Sequence, residues 1–83
     1  AEYKSGAAVG RTICDLASKY SENEDEEARK SLEAKIEEVK KSGKTASFPK
    51  EYWTGMLDSL DCTEAGQVSA LKDWIENKYM DYS

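Results

Sequence analysis

Histidine is absent from this 83-residue chain, which removes the commonest general base at neutral pH and a preferred zinc ligand. Only two cysteines occur, Cys14 and Cys62. They are too few to complete a zinc site without histidine, and they do not form a C-x-x-C redox pair. No stretch approaches the roughly 18 consecutive apolar residues that a membrane span requires. Basic residues are outnumbered, with 12 Lys and Arg against 17 Asp and Glu for a net charge of −5. An acidic chain without a basic stripe lacks the electrostatic footprint for nucleic acid. No Gly-rich loop of the kind that cradles a phosphate is present either.

Catalytic constellations are correspondingly scarce. Without histidine, Ser-His systems are excluded and Cys-His systems with them. Asp58 and Asp61 form a carboxylate pair that acid–base chemistry would require. With 17 acidic residues in the chain, such proximity arises without selection, and both residues read as a solvated helix end. The acidic run Glu22, Glu24, Asp25, Glu26 and Glu27 lacks the D-x-D-x-D-G alternation and bidentate Glu of a calcium loop. No catalytic residue, metal or cofactor is therefore expected, and the chain reads as a non-enzyme.

What is present is material for one small core. The length corresponds to about one domain. An apolar fraction of 39%, with five Tyr, two Trp and one Phe, can offset the ordering entropy that defeats disordered chains. The two cysteines stand 48 positions apart, and an even count in a short chain suits a disulfide. A Cys14–Cys62 bond would contribute about 4 kcal/mol on the chain-entropy model. That matters for a domain of this size, which buries only about 60–65% of its unfolded surface. The sequence opens at Ala1 rather than Met, as a mature chain does after removal of a signal peptide. Both features predict an oxidising compartment, periplasmic or secreted; buried free thiols in a cytosolic protein are the competing reading.

The apolar periodicity is helical throughout and predicts a compact four-helix bundle in one domain, with helices over about 5–20, 23–42, 48–61 and 64–81. In the first, Val9, Ile13, Leu16, Ala17 and Tyr20 share a face. Ala7, Gly10, Cys14 and Ala17 form a ridge of small residues beside it. Gly6 and Gly10 have G-x-x-x-G spacing, but their polar flanks argue against membrane dimerisation. For the second helix, Ser21 with Glu24 or Asn23 with Glu26 would build a capping box, and Gly43 a left-handed end. Its stripe is Ala28, Leu32, Ile36 and Val39, and Glu26–Lys30 and Glu37–Lys41 are i,i+4 pairs. Ser47 would cap the third helix, whose face is Phe48, Tyr52, Trp53, Met56, Leu57 and Leu60. Gly55 within it suggests a close helix crossing. Thr63 would cap the fourth helix, with Val68, Leu71, Ile75, Tyr79 and Tyr82 inward.

Two surfaces suit a partner. Residues 21–43 hold the largest excess of negative charge, and Glu22, Glu24, Asp25, Glu26 and Glu27 would steer a basic protein. A well-capped, solvated helix start explains the same run. Trp74 falls roughly 100° from the centre of its helix's apolar face, so it flanks the core. With Met80 and Tyr82 it forms a candidate contact patch, although Trp74 can equally seal the bundle edge. A homodimer through the narrow stripe of the second helix stays open. A carrier of small apolar ligands is disfavoured by so many bulky aromatics. In general format the chain is similar to the small disulfide-tied helical proteins of the bacterial periplasm, among them secretion pilotins, immunity proteins and acid-stress chaperones. The leading expectation is an exported helical protein that binds another protein as an inhibitor or immunity-type factor; the alternative is a cytosolic adaptor with reduced thiols.

Overall fold

The computed structural model describes residues 2–62 and 66–80. Four helices follow one another: α1 (Glu2–Asn23), α2 (Glu26–Thr45), α3 (Lys50–Ser59) and α4 (Gly66–Tyr79). No strand occurs among the described residues. The all-α class and the helix order agree with the sequence reading, whereas the helix ends do not.

The ends differ because other residues took the capping roles. Ser21 and Asn23 remain inside α1, so neither expected capping box forms. Instead Glu24 adopts the left-handed conformation, with φ 51°, and its N–H donates to the Tyr20 carbonyl at 2.8 Å. Asp25 then caps α2, its carboxylate accepting from the backbone N–H of Glu27 at 3.0 Å and of Ala28 at 3.3 Å. Gly43 supplies no left-handed end, since α2 continues to Thr45 and is closed by the Ala46 N–H donating to Ser42. Ser47 does not cap α3: Pro49 holds that position without a side-chain bond. Thr63 and Tyr82 lie outside the described residues. On the surface of α2, Glu26 pairs with Arg29 at 2.8 Å rather than with Lys30, and the same guanidinium reaches Glu33. A planar fork serves two carboxylates where a lysine serves one. Among the described residues no ion pair joins Glu37 to Lys41, while Lys35 approaches Glu38 at 3.6 Å.

Facing residues give the helix directions. Gly6 faces Tyr52, Gly10 faces Met56 and Ser59, and Cys14 is bonded to Cys62; the numbers rise together, so α1 and α3 run parallel. Gln67 bonds Glu33, Lys40 lies over Trp74 and Gly43 lies beside Tyr79, which makes α2 and α4 parallel as well. Thr54 meets Met80 and Asp61 meets Lys72, so α4 returns along α3. The result is an up-down-up-down bundle of 39 × 22 × 22 Å.

The core lies where the four apolar faces meet. Ile13 from α1, Leu32 from α2, Trp53, Met56 and Leu60 from α3 and its end, and Val68, Leu71 and Ile75 from α4 are all at most 1% exposed. Each such side chain contributes about 1.5–3 kcal/mol of transfer free energy. The seam between α1 and α3 is tighter than side chains would allow. A Cβ added to Gly6 would overlap the Tyr52 carbonyl, and one added to Gly55 would overlap the Tyr3 carbonyl and lie 3.2 Å from the Ala7 nitrogen. The small-residue ridge thus serves intramolecular packing, with Gly55 answering it from α3. At the end of this seam the Cys14 and Cys62 Cα atoms are 6.2 Å apart and the disulfide is closed. Cys14 is buried and Cys62 exposed, so the bond ties α1 to the turn that leads from α3 to α4.

Gly6→Ala and Gly55→Ala should each destabilise the bundle by about 2 kcal/mol or more, because backbone cannot move aside as a side chain can. Gly66→Ala, with nothing within 4 Å of the added Cβ, should change stability by less than about 1 kcal/mol. Urea titration of the three variants distinguishes these outcomes. Alkaline pH offers a second measurement. Burial raises the phenols of Tyr52 and Tyr79, Glu2 and Glu38 adding to the effect at Tyr52. Folded pKa values above the unfolded value of about 10 mean that the unfolded chain loses these protons first. Stability should hold below pH about 10 and fall as pH rises beyond it. Tyr52 and Tyr79 should therefore ionise late, together with loss of helical circular dichroism.

Candidate functional site

The residues singled out as partner-binding candidates fall at opposite ends of α2. Near its C-terminal end an aromatic cluster is organised around Trp53. Tyr79 stacks on Trp53 with centroids 4.1 Å apart, Phe48 stacks on Tyr52 at 4.0 Å, and Tyr52 meets Trp53 edge-on at 5.1 Å. Gly43 makes the Trp53–Tyr79 stack possible, since a Cβ there would sit 2.6 Å from the Tyr79 hydroxyl and 3.0 Å from the Trp53 ring. The Trp53 indole nitrogen and the Tyr79 hydroxyl are buried here without a hydrogen-bond partner among the described residues.

Trp74 belongs to this cluster. It is half-buried, edge-on to Trp53 at 6.3 Å and to Tyr79 at 5.6 Å. Lys40 and Lys78 place their ammonium groups 5.8 Å and 5.6 Å from its ring, a cation–π arrangement. Met80 is half-buried, its sulfur 4.0 Å from the Thr54 hydroxyl. Geometry here favours the sealing role for Trp74: its edges meet aromatics and its face is occupied by lysines from two helices. These contacts join α2, α3 and α4.

The other end is built by the α1–α2 turn. Glu22, Glu24, Asp25, Glu26 and Glu27 are all exposed. Asp25 is engaged as the helix cap and Glu26 by Arg29, so Glu22, Glu24 and Glu27 are left without an ion-pair partner among the described residues. Beside them an open groove of about 530 Å³ runs between α1, α2 and α4. Ala17 and Leu32, 2% and 1% exposed, form its floor. Tyr20, Ser21, Glu24 and Gln67 stand around it. Tyr20, with Tyr3, is one of two large hydrophobic side chains left exposed among the described residues, at 37%, although its spacing had put it on the apolar face of α1. Gln67 extends from α4 to donate to the Glu33 carboxylate at 3.3 Å. The acidic run was visible in the sequence, but Tyr20 and Gln67, remote from each other in the chain, join it only through the packing of α4 beside α1.

The carboxylate pair noted in the sequence, Asp58 and Asp61, is engaged in ordinary surface contacts. Asp58 accepts a hydrogen bond from the Tyr3 hydroxyl at 2.5 Å, and Asp61 lies 3.3 Å from Lys72. The Asp58 contact is the main cause of a raised Tyr3 pKa, since a phenolate would face a carboxylate. Among the described residues no group of three or more Cys, Asp or Glu is placed to hold a metal ion, and no helix is long and apolar enough to cross a membrane. Fold and surface together define a disulfide-tied four-helix bundle with an acidic groove at one end. No family model, curated protein or solved structure matches the chain at a significant level.

Trp74→Ala should cost about 2 kcal/mol, below the 3–5 kcal/mol typical of fully buried aromatics, because the side chain is only partly buried. Thermal unfolding of Trp74→Ala and Trp74→Phe checks this, with Phe retaining most of the stability.

Proposed function

We propose that this chain is a small protein of an oxidising compartment, periplasmic or secreted, that acts by binding another protein of basic surface as an inhibitor or immunity-type factor. The observation that carries the reading is the trio Glu22, Glu24 and Glu27, three exposed carboxylates with no ion-pair partner among the described residues, of which Glu24 lines a concave surface. Mutual repulsion among like charges costs stability unless an incoming partner neutralises them. Charges so placed accelerate encounter with a basic protein and disfavour acidic ones. The Cys14–Cys62 bond supports the compartment, since disulfides persist where thiols are not kept reduced.

The test is capture. Tagged protein, purified without reductant and crosslinked in the compartment of its own cells, should recover one dominant basic partner. Glu22→Lys combined with Glu27→Lys should slow association with that partner by about tenfold or more at low salt, with the difference shrinking as salt rises. Failure to recover a partner, or association indifferent to both charge and salt, overturns the reading. Thiol titration of the same denatured material should find no free sulfhydryl; two would place the chain with cytosolic adaptors.

A further inference from the structure

Resting on the reading of the chain as a protein-binding module, we infer that the groove at the acidic end is a receptor for a single cationic side chain, Arg or Lys, of the partner protein. Ala17 and Leu32 close the bottom of the groove with apolar side chains that are already almost wholly buried, so the aliphatic stem that Arg and Lys carry below their charge would lie chiefly against Tyr20. The Tyr20 ring is exposed beside that floor and offers a face on which a guanidinium or ammonium can lie. Glu24 stands at the rim without an ion-pair partner among the described residues, and its carboxylate supplies the counter-charge. Gln67 uses its amide N–H on Glu33, so its carbonyl oxygen is the free end and an acceptor for the same cation. Glu24 is the one charged residue among those lining the groove, so the net charge there is negative; Ser21 and the start of α4 at Gly66 complete the lining. The neighbouring Arg29 does not fill this role, because its guanidinium is held between Glu26 and Glu33.

Glu24 gives a variant that separates binding from folding. Its φ of 51° is a conformation that glycine adopts more readily than any side chain. Glu24→Gly should therefore retain or raise the unfolding midpoint while removing the carboxylate. The probes are three capped tripeptides, acetyl-Gly-Arg-Gly-amide, acetyl-Gly-Lys-Gly-amide and acetyl-Gly-citrulline-Gly-amide, titrated into ¹⁵N-labelled full chain. The Arg or Lys peptide should shift the amides of Tyr20, Ser21, Glu24 and Gln67 in a saturable way. Citrulline, isosteric with Arg but neutral, should bind at least tenfold more weakly, and Glu24→Gly should weaken the cationic peptide by a similar factor. Equal response to citrulline, no saturation, or indifference to Glu24→Gly overturns the inference. A captured protein partner that binds Glu24→Gly as tightly as the parent chain overturns the groove while the binding-module reading stands. Saturable peptide binding with no partner recovered upholds the groove and removes the module reading instead.

Discussion

The close contact between α1 and α3 is the constraint on which the rest of the molecule depends. Two backbones meet through Gly6, Gly10 and Gly55, and each position lacks the space for a single methyl group. Such proximity brings Cys14 within reach of Cys62, so the covalent tie and the glycine seam share one geometry. Because the disulfide sits at the turn leaving α3, it also limits where the chain can begin α4. Noncovalent packing and loop entropy reinforce each other here. A short chain that buries little surface gains more from such a tie than a large domain would.

The two ends of the bundle divide the remaining chemistry. At one, Trp53, Tyr79 and Trp74 contact one another and lysines cover the outermost ring. Aromatic surface there is used to join three helices, and the cations complete it. At the other, Arg29 is occupied by Glu26 and Glu33, and carboxylates outnumber the cations that could answer them. The groove beside them lies where α1, α2 and the start of α4 meet, above the buried Ala17 and Leu32. At the aromatic end the cations lie on a ring, whereas at the acidic end carboxylates are left without cations among the described residues, and the proposed function rests on that difference.

Legibility from sequence varied with the range of the interactions. Helix number, the stripe Ala28, Leu32, Ile36 and Val39, and the burial of Trp53 follow from local periodicity, which any packed helix must obey. Caps were misread because several residues could compete for each role. Asp25 prevailed over Ser21 and Asn23 once α1 extended to Asn23 and Glu24 took the left-handed turn. Gly43 resembles a helix terminator in sequence, yet it is small for a different reason: Trp53 and Tyr79, from two other helices, press against it. Tyr20 fits the spacing of an inward residue but lies beyond the reach of α3, so it stays at the groove mouth.

The amino-acid pattern by itself determined that this chain is helical, acidic and without histidine, and it left the two cysteines open between a bond and free thiols until the structure paired them. The first three are properties of composition and of spacing within one helix. The tertiary structure alone decided that Gly6, Gly10 and Gly55 form a seam, that Trp74 is absorbed into an aromatic cluster, and that Tyr20, Glu24 and Gln67 surround one groove. Each of these joins residues far apart in the chain, and such proximity is set by how helices cross, which no local period encodes.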